Sequence, residues 1–131
     1  MSSDTLQRIL YVEDEPDIQA VARIALETVG GFTVQICSSG EEALATAVEF
    51  APDLLLLDVM MPGMDGPTTL QALRNFPDLA DTPAVFMTAK VQPQEIEKFK
   101  AFGALDVIAK PFDPMALSKQ ITAAWQQRDA Q

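Results

Sequence analysis

Five side chains that can bind metal ions or phosphate follow directly after short apolar runs. Glu13 and Asp14 follow the first run, and Asp58 follows four consecutive leucines. Thr88 and Lys110 end two later runs. If these runs are strands of one parallel sheet, their carboxyl ends meet along one edge, where such sheets bind ligands. We therefore expect three carboxylates, a hydroxyl and an ammonium group to lie together.

The expected cluster of carboxylates needs positive charge. Each pair of unit charges at about 4 Å repels by about 4 kcal/mol at an effective dielectric constant of about 20. The two charges of Mg²⁺ and the one of Lys110 balance three carboxylates. Because Mg²⁺ prefers oxygen ligands and keeps several waters, we predict that Asp14 and Asp58 bind Mg²⁺, or Mn²⁺ as an alternative, and that Glu13 reaches the ion through water.

A carboxylate on such an ion, beside a lysine and a hydroxyl, fits a nucleophile for phosphoryl transfer, which depends on positioning and on neutralising oxygen charge. Asp58 is the candidate acceptor. The incoming oxygens would lie on the ion, on the Lys110 ammonium group and near the Thr88 hydroxyl. Taken singly these residues have ordinary readings: a solvated acidic cluster, a surface lysine and a strand threonine. Only their joint placement indicates a site.

The apolar pattern predicts the elements that position these residues. Predicted strands cover Leu6–Val12, Phe32–Ile36, Leu54–Leu57, Ala84–Met87 and Leu105–Ile108, and predicted helices cover Pro16–Val29, the segment from the Ser39 cap to Phe50, Thr68–Asn75, Pro93–Phe102 and Pro114–Gln127. The third strand is apolar on both faces, which is typical of a central strand covered by helices on each side. The βα alternation predicts a parallel sheet with helices on both faces.

Composition limits the class of protein. A chain of 131 residues suits one domain spanning 1–131, with its core at about 6–127. The net charge of −10 disfavours direct contact with nucleic acid. The one cysteine, Cys37, reads as a small buried apolar residue. No apolar run approaches the ~20 residues of a membrane span, and Met1–Arg8 lacks a signal-peptide pattern, so we expect no membrane insertion and a cytoplasmic location.

Two motifs resemble the receiver domain of two-component response regulators. The segment from Asp58 to Gly66 reads DVMMPGMDG and is similar to the family's DxxMPxMDG, and Lys110-Pro111-Phe112 is similar to its KPF. The acidic pair after the first strand and Thr88-Ala89 after the fourth strengthen the resemblance, which covers about residues 6–127. It implies a flavodoxin-like (βα)5 doubly wound sandwich with a central five-stranded parallel sheet.

The resemblance also implies roles for individual residues. Asp58 would be phosphorylated, and the backbone carbonyl of Met60 would complete the metal ligands that begin with the acidic pocket of Glu13 and Asp14. Thr88 and Lys110 would contact the phosphoryl group. The bond between Lys110 and Pro111 would be cis. Before a proline, the cis form costs only about 0.5 to 1 kcal/mol of free energy relative to the trans form.

Two positions depart from the family pattern. Glu13 stands where Asp is commoner, and its longer side chain still holds a carboxylate near the metal. Val107 stands where the family usually has a Tyr or Phe that turns inward on activation, so this chain lacks the usual aromatic switch residue. Thr88 and Val107 are the expected switch positions.

The implied function is that of a phosphoacceptor switch rather than an enzyme with a separate substrate, although the domain would assist its own phosphorylation and dephosphorylation. The donor would be a sensor histidine kinase or a histidine phosphotransfer protein; this chain has no histidine and cannot be that donor. Since no further domain follows the last predicted helix in this chain, we expect the output to pass to a separate effector protein. The protein is expected to be a monomer or a weak, phosphorylation-dependent dimer.

Other functions fit the sequence less well. A haloacid-dehalogenase-type phosphatase needs a second Asp two residues after the nucleophile, where this chain has Met60. A flavin or dinucleotide carrier needs a Gly-rich or Ser/Thr-rich loop after its first strand, whereas Glu13-Asp14-Glu15 would repel a phosphate. The open alternative is a receiver fold that acts as an adaptor or dimerisation module without phosphorylation.

Overall fold

The computed structural model describes residues 5–128. The strands β1 to β5 are Arg8–Val12, Thr33–Cys37, Leu54–Asp58, Ala84–Thr88 and Asp106–Ala109. The α-helices α1 to α5 are Pro16–Arg23, Gly40–Phe50, Gly66–Leu73, Pro93–Ala101 and Leu117–Gln127. A π-helical segment, Ile24–Val29, continues α1, and a 3₁₀ turn covers Pro77–Leu79. Residues 1–4 and 129–131 of the predicted single domain lie outside the described part.

The five strands form one parallel sheet in the order β2-β1-β3-β4-β5. The chain reverses its direction of travel across the sheet at β1, because β1 has β2 on one side and β3 on the other. With right-handed crossovers, α1 and α5 then cover one face and α2, α3 and α4 cover the other. This arrangement confirms the predicted flavodoxin-like fold.

The central strand β3 shows why both faces need covering. Its five residues are all buried, and alternate leucines enter different cores. Leu55 and Leu57 pack with residues of α2, α3 and α4, whereas Leu54 and Leu56 pack with residues of α1 and α5. The period of two along a strand thus divides one leucine run between two apolar layers.

Local side-chain bonds set the starts of two helices on the α2 to α4 face. The Ser39 hydroxyl accepts a hydrogen bond from the Glu42 amide at 3.1 Å, as its spacing predicts. The Glu42 carboxylate accepts from the amide of Ser38 rather than that of Ser39. Asp65 accepts from the Thr68 amide at 2.8 Å, so α3 begins at Gly66, two residues before the predicted start.

The first helix differs from the prediction in its second half. We expected a regular helix to Val29, but the Gly30 amide bonds back five residues to the Ala25 carbonyl, which defines a π-turn. The Ser118 hydroxyl of α5 donates to the same carbonyl at 2.7 Å. A side chain bonded into the helical ladder is a known cause of such irregularity. Val21 and Val29 recur at helical spacing with the other apolar residues of this segment, but they are 43% and 44% exposed.

The last helix also begins later than predicted. Residues from Pro114 onward were expected to be helical, but α5 starts at Leu117. The Asp113 carboxylate accepts from the Met115 amide, and the Asp113 carbonyl accepts from the Ala116 amide. These bonds form a turn that precedes the helix.

No helix within residues 5–128 is long and apolar enough to cross a membrane.

Candidate metal and phosphoryl site

Three carboxylates meet at the carboxyl edge of the sheet, as the sequence predicts. Glu13 and Asp14 follow β1, and Asp58 ends β3, the neighbouring strand. Each side chain offers an oxygen within 4.8 Å of the oxygens of the other two. Glu13 is fully buried and Asp58 is 3% exposed. The cluster therefore combines close like charges with little access to bulk water.

Lys110 bridges two of these carboxylates. Its ammonium nitrogen lies 3.1 Å from Glu13 Oε1 and 3.1 Å from Asp58 Oδ1. The lysine side chain is 17% exposed, so both ion pairs are largely shielded from solvent. Lys110 follows β5 on the far side of β4, which shows how the strand ends bring distant residues together.

The pKa values reflect a site that remains short of positive charge. Burial, and next the charge of Glu13, raise the pKa of Asp58 to about 6, although Lys110 opposes the rise. Burial alone would lower the pKa of Lys110, but its bonds to Asp58 and Glu13 outweigh burial and raise that pKa. Lys110 therefore stays an ammonium ion, while Asp58 is easier to protonate than an ordinary aspartate.

Glu13 has a further partner that the sequence reasoning missed. The Tyr11 hydroxyl donates to Glu13 Oε1 at 3.2 Å, and both side chains are fully buried. Burial, and next the charge of Glu13, hold the pKa of Tyr11 above its usual value, so the hydroxyl stays protonated. The spacing of two residues, from β1 to the residue that follows it, places both side chains on one face, and this signal was available in the sequence.

Gly66 is a second residue that the sequence reasoning passed over. A Cβ atom at this position would lie 2.5 Å from the Asp58 carbonyl oxygen and 3.0 Å from Val59 Cα. The Gly66 amide donates to the Val59 carbonyl at 2.9 Å. The start of α3 thus packs directly on the backbone of the candidate acceptor. The motif's Asp-Gly pair signalled this turn, but only as a helix start.

Thr88 ends β4 beside the carboxylate cluster. The residue is 3% exposed, and its hydroxyl accepts from the Lys90 amide at 3.1 Å. Thr88 and Met60 both line a cleft of about 350 Å³ between α3 and α4. Met60 follows Asp58 by two residues, and its side chain is 69% exposed. The structure thus places Thr88 and Met60 along one cleft.

The expected switch residue Val107 is half-buried in the core beneath α2, α3 and α4. It pairs with Phe86 across β4 and β5. Its role in switching stays a prediction.

The peptide bond between Lys110 and Pro111 is cis, as the resemblance implies. Cys37 is buried, and burial raises the pKa of its thiol, which agrees with the reading of a small apolar residue.

The residues present fit a divalent cation. Among residues 5–128, one cluster of three carboxylates has the closeness that a metal site needs. Lys110 supplies one positive charge against three negative ones, which leaves a deficit of two. Carboxylate oxygens are the ligands that Mg²⁺ prefers, whereas a softer metal would require thiolate or imidazole. The charge deficit and the ligand type therefore point to the same class of ion.

Comparison with known proteins decides the family. The sequence pattern of the response regulator receiver domain matches residues 9–122. This chain is a receiver domain. A solved structure of the chemotaxis response regulator CheY4 of Vibrio cholerae is 31% identical to this receiver domain, with a TM-score of 0.83, and the match covers 92% of this chain and 99% of that one.

Curated relatives are longer than this receiver domain. The probable C4-dicarboxylate response regulator DctR of Halalkalibacterium halodurans is 33% identical over 93% of this chain and 53% of its own length. The DNA-binding dual master transcriptional regulator RpaA of a Synechocystis strain is 38% identical over 95% of this chain and 51% of its own. The chain spans about half the length of these relatives. RpaA is named as a DNA-binding protein, which leaves untested our prediction that the receiver domain itself avoids nucleic acid.

Proposed function

We propose that this receiver domain accepts a phosphoryl group on Asp58, with Mg²⁺ bound beside it, and signals by a conformational change to a separate protein. The observation that supports the proposal most is the position of Lys110, 3.1 Å from oxygens of both Asp58 and Glu13. A lysine at that point can neutralise phosphoryl oxygens as they arrive. The three roles of nucleophile, anion partner and metal ligand then occur in one buried cluster.

Asp58 acts as the nucleophile in this proposal. A carboxylate oxygen of Asp58 forms a bond to phosphorus while the bond from phosphorus to the donor's leaving group breaks. Asp58 needs to be ionised for this attack, and its pKa of about 6 leaves it mostly ionised at neutral pH. Lys110 and the burial of the cluster hold the carboxylate in place, which reduces the entropic cost of reaching the reactive geometry.

Lys110 and Thr88 bind the transferred group. Once phosphoryl oxygens approach, the Lys110 ammonium can exchange a bond to Asp58 for a bond to a phosphoryl oxygen. The Thr88 hydroxyl already accepts from the Lys90 amide, so its own hydrogen remains available to donate. When bound by Asp14, Asp58 and the Met60 carbonyl, with Glu13 acting through water, Mg²⁺ supplies charge neutralisation for the transferring oxygens. Mn²⁺ can substitute in the same role.

The donor in this proposal is a phosphohistidine on a sensor kinase or a phosphotransfer protein. The domain assists this transfer and the later loss of its phosphoryl group, and it has no separate substrate. Its location is proposed to be the cytoplasm, where such kinases present their phosphohistidines.

The energy of the new bonds limits how far the domain switches. Bonds to a charged phosphoryl group contribute about 1.5 to 3 kcal/mol each, so Thr88 and Lys110 together offer about 3 to 6 kcal/mol before desolvation costs. A shift from 1:99 to 99:1 requires about 5.5 kcal/mol. We therefore expect a partial population shift that an effector protein completes.

The direct test is incubation with acetyl phosphate and Mg²⁺, followed by intact-protein mass spectrometry. We expect a phosphorylated species in the wild-type protein and none in Asp58→Asn. A matched control is Asp53→Asn, because Asp53 also flanks β3 but lies at its amino end, where it accepts from the amides of Gln7 and Arg8. If the wild-type protein gains no phosphoryl group while Mg²⁺ is bound, the adaptor function without phosphorylation replaces this proposal.

A further inference from the structure

We propose that Tyr11 is a positioning residue that orients the Glu13 carboxylate toward the divalent cation. The inference rests on the proposed function and adds a residue to its machinery. Tyr11 would not touch the ion or the phosphoryl group. It would act through Glu13 by a buried hydrogen bond.

The contacts of Glu13 divide its two oxygens between two tasks. Glu13 Oε1 accepts from both the Tyr11 hydroxyl and the Lys110 ammonium group, at 3.2 Å and 3.1 Å. Glu13 Oε2 accepts from the Glu15 amide at 3.2 Å. Because two protein donors occupy Oε1, Oε2 is the oxygen with capacity left for a water molecule on the metal ion. Tyr11 therefore helps to decide which oxygen faces the ion.

Strand geometry explains why this partner suits a glutamate. Tyr11 and Glu13 stand two residues apart on one face of the chain, so a long acidic side chain can fold back toward the phenol hydroxyl. An aspartate at position 13 is one methylene shorter and would withdraw its carboxylate from that hydroxyl. Tyr11 and Glu13 thus form a matched pair, because the glutamate can reach the Tyr11 hydroxyl and an aspartate at the same position cannot.

Tyr11 also affects the balance of Lys110 between its partners. The hydroxyl satisfies part of the acceptor capacity of Glu13, which is fully buried and has no access to bulk water. Without the hydroxyl, Glu13 would depend more heavily on Lys110 and draw the ammonium group away from Asp58. Loss of Tyr11 Oη should therefore weaken both the metal site and the position of Lys110.

The first experiment measures Mg²⁺ affinity by calorimetry in the wild-type protein and in Tyr11→Phe. We expect Tyr11→Phe to weaken Mg²⁺ binding by about tenfold, the lower end of the effects seen when a hydrogen-bond partner of a metal ligand is removed. Ser118→Ala is the matched control, because it also removes a buried hydroxyl hydrogen bond, here to the Ala25 carbonyl, but far from the carboxylates. It should lower the melting temperature and leave Mg²⁺ affinity unchanged.

The same titration in a Glu13→Asp background separates positioning from general destabilisation. Since the shorter carboxylate cannot reach the hydroxyl, we expect Tyr11→Phe to have no further effect on Mg²⁺ affinity there. An equal loss of affinity in both backgrounds would overturn the proposal. So would a Tyr11→Phe protein that melts earlier but binds Mg²⁺ as tightly as the wild type.

A spectroscopic measurement on the unmutated protein covers the case in which a variant fails to fold. Tyr11 is the sole tyrosine of the chain, so tyrosine labelled with ¹³C at Cζ gives one signal. We expect the chemical shift of that signal to change as Mg²⁺ is added. The Mg²⁺ concentration at the midpoint of this change should agree with the affinity measured by calorimetry. A signal that stays unmoved while Mg²⁺ binds rejects the role of Tyr11 and leaves the proposed function intact. A wild-type protein that binds no Mg²⁺ rejects both.

Discussion

At the scale of single residues, the proposed chemistry of this receiver domain depends on an excess of negative charge that the fold maintains. Glu13 and Asp58 are buried beside each other, and Lys110 offsets only part of their repulsion. Such an arrangement costs folding free energy when no cation is bound. A divalent cation that binds there reduces this repulsion and so stabilises the folded protein.

The charge deficit predicts how the metal binds. We expect weak, reversible Mg²⁺ binding, and we expect Asp14→Ala to reduce affinity by at least about tenfold, because Asp14 is the least enclosed of the three carboxylates and is a proposed direct ligand. Calorimetric titration measures the change. Glu15→Ala is the control, since Glu15 is an exposed neighbour whose carboxylate lies outside the cluster. Undiminished affinity in Asp14→Ala would show that the ligand assignment is wrong.

The raised pKa of Asp58 predicts how stability depends on pH in the absence of Mg²⁺. In the folded protein the pKa is about 6, against an ordinary value of 3.8. The folded state then binds this proton more tightly, so the stabilisation is complete below about pH 4 and is lost as pH rises through about 6. Over that window wild-type stability should fall relative to Asp58→Asn by about 2 to 3 kcal/mol.

Urea unfolding in EDTA at several pH values measures this difference. Asp78→Asn is a control on an exposed aspartate outside the site, and it should keep the wild-type pH dependence. Parallel curves for the wild type and Asp58→Asn would contradict the pKa assignment.

At the scale of elements, the start of α3 and the end of β3 act as one unit. The helix begins at Gly66 with Asp65 as its cap, and it packs against the Asp58 carbonyl so closely that a Cβ atom cannot be accommodated without movement. The position of Asp58, the proposed nucleophile, is therefore coupled to the placement of a helix terminus.

This coupling predicts the effect of Gly66→Ala. The added methyl group should displace the Asp58 backbone, lower the free energy of unfolding by about 1 to 3 kcal/mol, and slow phosphorylation by acetyl phosphate. Thr68→Ala changes an exposed residue in the same helical turn and should alter stability by less than about 0.5 kcal/mol. Denaturant unfolding and the rate of phosphorylation are the measurements. Equal behaviour of the two variants would rule out the close contact as the cause.

At the scale of the whole molecule, the site lies at one edge of the sheet, and the elements beside it offer a path for the signal. β4 ends at Thr88, the following loop leads into α4, and β5 ends just before Lys110. Both residues proposed to bind the phosphoryl group thus lie at the carboxyl ends of neighbouring strands on the same side of β3. A structural change at the site should therefore displace the segments that follow these two strands more than the rest of the domain.

We therefore predict that phosphorylation changes the surface formed by Pro93–Phe102, Leu105–Ile108 and α5. Amide chemical shifts, recorded with and without beryllofluoride and Mg²⁺, should move most in this surface, and Asp58→Asn should show no such change. The absence of an aromatic residue at Val107 predicts intermediate shifts, as expected of a partly populated active state. Shifts confined to α1 and α2 would show that the output surface is wrong.

Much of this architecture was readable from the sequence because its signals are local. The two-faced leucine run, the cap at Ser39, and the turn residues between elements depend on neighbours a few positions apart. The alternation of strands and helices then placed the five candidate side chains at strand ends. The first helix ends at Val29 as predicted, but its second half is π-helical because a contact with α5 alters the helical ladder. The helix starts that were wrong, at Thr68 and Pro114, lie where a side-chain cap or a local turn overrides helical periodicity.

The sequence by itself determined the element order, the fold class and the identity of the residues at the carboxyl edge of the sheet. Only the tertiary structure decided how they pair: Lys110 bonds to residues 97 and 52 positions away in the chain, and the Tyr11 hydroxyl shares an oxygen with it. Local preferences act through adjacent residues and leave a pattern in the sequence. Distances of 3 Å between remote side chains depend on how all the elements pack at once, so they appear only in the folded molecule.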